Sequence, residues 1–165
     1  MQIVIPNHTA SFQAEEKFVD GYDNSVRYVD SVLQGIFEKV HNYSNFQGFL
    51  YLPDHGEDPE SGNAHSPDKF TFQMVRIPFL VYLSPKAIAS RPEIQKELQK
   101  HKDLPWTNDL AYNLLISLLG IQNAPYEERQ FDLTSPTYQL NWEKAKTQHG
   151  TKTLSEKTEP HSHIK

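Results

Sequence analysis

Two adjacent side chains, Asp54 and His55, place a carboxylate beside an imidazole directly after an apolar segment. Carboxylate oxygens and imidazole nitrogens are typical ligands of zinc, which takes four ligands in a tetrahedral arrangement. His65 follows in the same polar loop and can fold back as a further ligand or bind an anionic substrate. The pattern predicts half of a tetrahedral metal site, with a solvated surface loop as the alternative explanation of the same residues.

The apolar segment before this pair, residues 48–52, has the sequence GFLYL and is bounded by turn-forming residues. A short continuous apolar run is typical of a strand buried on both faces of a parallel sheet. Ligands of open α/β sheets bind beyond the carboxyl ends of the strands, which is where Asp54 and His55 would lie. Gly56 then permits a tight turn.

The clearest helical pattern covers residues 24–40, with Asp23 in the position of an N-cap. A second buried strand is predicted at residues 77–83, and short helices near residues 85–89 and 92–100. The apolar face of the first helix would consist of Val26, Val29, Leu33, Ile36 and Val40, which recur at spacings of three and four.

The last strong helical pattern runs over residues 108–119, with Thr107 or Asn108 as its cap and Gly120 as its end. Helices that alternate with strands predict an α/β layered fold, with the helices packed on a few mostly parallel strands. We expect one domain over residues 1–140, followed by a polar, poorly ordered tail over residues 141–165.

Composition excludes several classes of function. The formal net charge of −5, without any basic stripe, argues against nucleic acid as a partner. Cysteine is absent, which excludes disulfides and thiolate metal ligands. No apolar run approaches the roughly 18–20 residues of a membrane-spanning helix.

Four segments in order resemble the bacterial phosphoethanolamine transferases that modify lipid A or the lipopolysaccharide core, members of the sulfatase/alkaline phosphatase superfamily. Residues 48–57 are similar to that family's strand and Asp-His-Gly-Glu motif, and residues 22–30 (YDNSVRYVD) to its Tyr-Asp-Asn helix. Residues 76–84 (RIPFLVYLS) resemble its Val-Pro-Leu-Leu-x-Trp-Leu-Ser strand. Arg91-Pro92 and the helix of residues 108–121 follow in the same order, so the resemblance covers residues 18–138.

This resemblance implies a partial alkaline-phosphatase/sulfatase-like fold and a role for particular residues. Asp54 and His55 would bind the catalytic zinc, or another divalent metal. His65 would contact the phosphoryl group, although it precedes Ser66 where the family has glycine. Glu57 would support the site rather than bind the metal.

The resemblance also implies partners that this chain does not supply. A phospholipid would donate phosphoethanolamine, and lipid A or the lipopolysaccharide core would accept it. The family's threonine nucleophile, its acidic zinc ligand on the first strand and its membrane domain match nothing in this sequence. We therefore expect a carboxy-terminal part of the catalytic domain, inactive alone, whose parent enzyme works at the periplasmic face of the inner membrane.

Two alternatives stay open at this point. The parent could be another member of the superfamily, such as a sulfatase, a phosphatase or a phosphoglycerol transferase. The chain could also be a non-catalytic remnant that keeps the fold without the chemistry.

Overall fold

The computed structural model of the chain describes residues 14–61, 66–147 and 150–156. His65 lies outside these residues. The described part comprises a long helix, a strand pair, three shorter helices and a terminal hairpin. The elements are α1 (Ala14–Val40), β1 (Gly48–Tyr51), β2 (Leu80–Leu83), α2 (Pro85–Ser90), α3 (Pro92–His101), α4 (Ala111–Leu119), β3 (Lys146–Thr147) and β4 (Lys152–Thr153).

Helix α1 extends further toward the amino terminus than its apolar pattern predicts. Asp23 lies inside the helix, so its predicted role as N-cap is wrong. The preceding stretch is rich in good helix formers such as Ala, Glu and Lys, which continue the helix past Asp23.

The carboxyl end of α1 packs on the strand pair through an aromatic cluster. The Phe37 ring lies 4.9 Å from that of Tyr82 and 5.8 Å from that of Phe49, in edge-to-face arrangements of the kind that aromatic pairs favour. The predicted apolar face is only partly buried, because Val26 and Ile36 remain 41% and 44% exposed. Phe37, which the predicted face omits, is therefore the main contact of this helix end.

Strands β1 and β2 pair antiparallel, with Phe49 opposite Tyr82. Strands β3 and β4 also pair antiparallel, so the prediction of mostly parallel strands is wrong for the described residues. The apolar runs predict burial on both faces, but Leu80 is 49% exposed and no residue of β1 is fully buried. The α/β class, helices with a small strand content, is confirmed.

Helices α2 and α3 begin and end within one position of the predicted residues, and α4 ends at the predicted Leu119 but begins three positions later than predicted. Ser84 caps α2, since its Oγ accepts a hydrogen bond of 3.1 Å from the Ala87 N–H. Asn108–Leu110 form a 3₁₀ turn that leads directly into α4. Gly120 ends α4 with a φ of 70°, the left-handed conformation that favours glycine.

The buried core lies between α4 and the segment that follows it. Phe79 stacks on Trp106 at a centroid distance of 4.4 Å and connects β2 to this core. The buried cluster consists of Leu110, Leu114, Leu133, Tyr138, Leu140 and Ala145.

Residues 141–147 and 150–156 return to this core, where β3 pairs with β4. The Leu154 N–H donates to the Ala145 carbonyl, and Ala145 is 1% exposed. The described part of the predicted tail thus contains secondary structure and a core residue. The division of the chain at residue 140 stays a prediction.

Candidate metal centre

Asp54 and His55 follow β1 after Leu52 and Pro53, as the sequence predicts. Their side chains come together, because His55 Nε2 lies 3.7 Å from Asp54 Oδ2. Both are accessible, with 42% of the His55 side chain and 89% of the Asp54 side chain exposed. The pair is therefore available to an ion or a substrate that approaches from solvent.

The orientation of the His55 ring suits a metal ligand. Nδ1 lies 3.0 Å from the carbonyl oxygen of Gly56, so a proton on Nδ1 would be donated to that oxygen. Metal-binding histidines commonly fix their tautomer through such a bond on the other ring nitrogen. In this tautomer Nε2, the atom near the Asp54 carboxylate, carries the lone pair.

The two donor atoms have a separation that a single ion can bridge. Zinc binds nitrogen and oxygen at roughly 2.0–2.2 Å, so two ligand atoms of a tetrahedral site lie roughly 3.3–3.5 Å apart. The observed 3.7 Å needs only a small adjustment of two exposed side chains. Within the described ranges no group of three or more His, Cys, Asp or Glu residues is placed to hold a metal. The geometry thus fits half of a four-coordinate site, and His65 as a third participant stays a prediction.

Gly56 has a different role from the one that the sequence predicts. Its N–H donates to the Met74 carbonyl at 2.7 Å, and a Cβ atom at Gly56 would lie 2.9 Å from the carbonyl oxygens of both Gln73 and Arg76. Real Cβ atoms do not approach backbone oxygens so closely. The glycine is therefore needed for the close approach of the turn at residues 72–76, and this contact fixes the chain just after His55.

The acidic residues Glu57 and Asp58 have different surroundings. Glu57 is half-buried and lies near α1; burial raises the pKa of Tyr22, and the negative charge of Glu57 raises it further. Asp58 is 8% exposed, and its Oδ1 accepts a hydrogen bond of 3.1 Å from the Ser61 N–H. Asp58 therefore stabilises the start of the loop through a buried hydrogen bond, whereas the acidic residues of a solvated loop would be exposed.

A cavity of about 620 Å³ adjoins the pair and is formed by four separate segments. Beside Asp54 and His55, it is lined by residues of the 72–77 segment, by the segment before α4 and by the terminal hairpin. Lys146 of β3 contributes a positive charge to the lining, and no local sequence pattern indicated this position.

Asn108 connects the cavity to the motif. Its Nδ2 donates to the carbonyl oxygens of Pro53 and Asp54 at 3.0 Å and 2.8 Å. The sequence indicates Asn108 as a helix cap and as part of a motif helix, but a contact across more than fifty residues leaves no local signal.

A model of a known protein family matches this chain. The Sulfatase model matches residues 5–115, which is more than half of the chain and includes Asp54, His55 and Asn108. The chain belongs to the sulfatase family. This confirms the superfamily that the motifs indicate, whose members commonly use divalent metals in hydrolase or transferase chemistry.

This sulfatase-family chain has no significant match among the curated proteins or among the solved structures. Within the residues that the structure describes, no helix is both long enough and apolar enough to cross a bilayer.

Proposed function

We propose that the chain is the metal-binding part of a zinc-dependent phosphoethanolamine transferase, which moves phosphoethanolamine from a phospholipid to lipid A or the lipopolysaccharide core. The observation that carries this proposal is the convergence of Asp54 and His55, 3.7 Å apart, at one cavity. The family match supports the superfamily. The choice of phosphoethanolamine rests on the resemblance of residues 22–30 and of the Arg91-Pro92 region.

Each residue of the site would have a distinct task. Asp54 Oδ2 and His55 Nε2 would hold a divalent ion, which would lower the pKa of a nucleophile and stabilise negative charge on the phosphoryl oxygens. His65 would contact those oxygens, and Lys146 would attract the anionic group into the cavity. Glu57 would support the loop that carries the ligands.

The threonine nucleophile and an acidic zinc ligand would lie in a further part of the catalytic domain. The apolar side chains exposed on α1 and β2, such as Ile36 and Leu80, offer a surface for it. The parent enzyme would act at the periplasmic face of the inner membrane. We expect the chain alone to transfer no phosphoethanolamine, and turnover by the pure 165-residue protein would contradict this assignment.

Zinc titration followed by NMR tests the metal site. Asp54→Ala and His55→Ala should each weaken zinc binding by about a hundredfold or more, since even the loss of a residue that only supports a ligand costs about tenfold to a hundredfold. Because both side chains are exposed, the melting temperature should stay within about 2 °C of the parent value. To remove loose binding by other histidines, all proteins would carry Gln at His149, His161 and His163.

His41→Ala is the matched control, since His41 is exposed just after α1 and its Nδ1 lies 3.0 Å from the Phe37 carbonyl oxygen. It should bind zinc like the parent. Equal zinc affinity in the parent, Asp54→Ala and His55→Ala proteins would reject the metal site and favour a non-catalytic remnant.

The substrate class is tested on the zinc-loaded chain with small anions. O-phosphoethanolamine should shift the NMR signals of His55 and of the Lys146 side chain, and sulfate should shift them less. Because the family match is equally consistent with other members of the superfamily, a stronger response to sulfate would favour a sulfatase. An equal response to glycerol phosphate would favour a phosphatase or a phosphoglycerol transferase.

A further inference from the structure

Within the residues that the structure describes, the Asn108 side chain makes no hydrogen bond to its own turn. An asparagine at the start of a helix commonly accepts a hydrogen bond from nearby backbone N–H groups. Here Thr107 occupies the N-cap position of the 3₁₀ turn, without a side-chain cap. The Asn108 amide instead reaches the end of β1 and donates to two successive carbonyl groups, those of Pro53 and Asp54.

Those two carbonyls can meet one amide group only where the chain bends. In an extended strand, successive carbonyl groups and successive side chains point to opposite sides. The bend at Asp54 brings the carbonyls of Pro53 and Asp54 to the same NH₂ group. The same bend lets the Asp54 and His55 side chains approach within 3.7 Å, although they are neighbours in sequence.

The bend is held from both sides. Asn108 fixes the carbonyls that lead into it, and the Gly56 N–H bonds the Met74 carbonyl at 2.7 Å directly after it. Asn108 Oδ1 is buried and has no hydrogen-bond partner within the described residues. An unsatisfied buried oxygen costs free energy, so the amide is held in this orientation by what its Nδ2 binds.

We propose that Asn108 is a positioning residue that sets the backbone bend on which the Asp54–His55 pair depends. This inference rests on the proposed function, because the position of the pair affects function only if the pair holds the metal. It does not require Asn108 to touch the metal or the substrate.

The test uses Asn108→Asp, which keeps the shape of the side chain but replaces the donating NH₂ by an acceptor. The new oxygens would face the Pro53 and Asp54 carbonyls, so the bend should open. We expect the ¹⁵N signals of the His55 ring to change in the metal-free protein, and zinc affinity to fall by about tenfold to a hundredfold. A purely structural role would change the melting temperature without changing these ring signals.

Asn45→Asp is the matched control, because Asn45 is exposed in the connection before β1 and the change in charge is identical. It should leave the His55 signals and zinc affinity unchanged. Unchanged His55 ring signals in folded Asn108→Asp would overturn the proposal.

Two further outcomes remain distinguishable. If neither Asp54→Ala nor His55→Ala weakens zinc binding, the proposed function fails, while the metal-free His55 signals still decide the role of Asn108. If Asn108→Asp does not fold, the hydrogen bonds of Asn108 are tested in the unaltered protein. Its Asn108 side-chain amide protons should exchange slowly with solvent, and rapid exchange would contradict the two hydrogen bonds.

Discussion

Asp132 shows how much structural work a single buried carboxylate performs in this chain. It is fully buried, and its oxygens accept hydrogen bonds from the Thr134 N–H and hydroxyl and from the Ser117 hydroxyl, the last at 2.6 Å. Ser117 belongs to α4, whereas Thr134 belongs to the segment that packs on it. The carboxylate therefore joins two halves of the core.

Asp132→Ala should lower the free energy of unfolding by about 1–3 kcal/mol, because buried hydroxyl and N–H donors lose their acceptor. Urea denaturation measures the change. Asp103→Ala is the control, since Asp103 is exposed beyond the end of α3 and its loss should matter little. Equal stability of the Asp132→Ala and Asp103→Ala proteins would show that the network is dispensable.

The buried phenol of Tyr138 predicts that the stability of the chain falls at alkaline pH. Burial raises the pKa of its phenol, the negative charge of Asp109 raises it further, and the hydroxyl donates to the Pro105 carbonyl at 2.6 Å. Above pH of about 10, the unfolded chain loses this proton while the folded chain keeps it. The folded state then binds more protons, so stability is complete below that pH and falls as pH rises.

Denaturant unfolding between pH 8 and pH 11 checks this prediction. Tyr138→Phe should be less stable at pH 8, because it loses a hydrogen bond, and should lose less stability at higher pH than the unaltered protein. Tyr126 is 92% exposed, so Tyr126→Phe should retain the full decline. Parallel curves for the Tyr138→Phe and Tyr126→Phe proteins would contradict the assignment.

At the scale of elements, the carboxyl end of α4 is closed from two sides. Gly120 adopts the left-handed conformation and returns its N–H to the last turn of the helix. The Arg91 guanidinium donates to the carbonyls of Ser117 and Leu118 at 2.7 Å and 2.6 Å. Hydrogen bonds from a cation to the last carbonyls also suit the negative end of the helix dipole.

A pair of glycine substitutions tests the ends and interiors of helices. Gly120→Ala should destabilise the chain by about 1 kcal/mol, because alanine is strained at a φ of 70°. Gly35 lies in the middle of exposed α1 with open space around it, so Gly35→Ala should stabilise by about 0.5–1 kcal/mol. Thermal unfolding of both proteins should show melting temperatures that move in opposite directions. A shift in the same direction would contradict the helix assignments.

The sequence predicted those elements whose limits are set by local chemistry. Helices α2, α3 and α4 begin at prolines or a 3₁₀ turn and end at identifiable residues, of which Gly120 is the clearest. The position of Asp54 and His55 shortly after a strand was also predicted, whereas their role as metal ligands stays a prediction. The predicted N-cap at Asp23 was wrong because helix formers also precede this residue, so the helix begins before it.

Features that depend on distant contacts were not predictable. Strand direction is one example, since an apolar run indicates burial but not which neighbour pairs with it. The contact of Asn108 with the Asp54 carbonyl, and that of Phe37 with Tyr82, join segments far apart in sequence. The lining of the cavity by Lys146 depends on a hairpin in a segment that composition assigned to a tail.

At the scale of the whole molecule, burial is unevenly distributed. The core gathers around α4 and residues 131–145, where Leu114 is 1% exposed. Helix α1 contacts the strand pair at its carboxyl end and leaves Val26, Val29 and Ile36 at least 40% exposed. Two-stranded sheets are marginally stable by themselves, so the strand pair that precedes Asp54 depends on the packing of Leu50 against the buried cluster and on its contacts with α1.

This distribution predicts a large difference between two aliphatic truncations. Leu114→Ala removes a fully buried side chain from the core and should lower the free energy of unfolding by about 2–5 kcal/mol. Ile36→Ala removes a half-exposed side chain from α1, and alanine is the better helix former, so its effect should stay below about 1 kcal/mol. Urea denaturation of the isolated chain measures both. If the isolated chain instead associates through α1, the effect of Ile36→Ala should grow with protein concentration while that of Leu114→Ala stays constant, because only the exposed face would then be buried between copies.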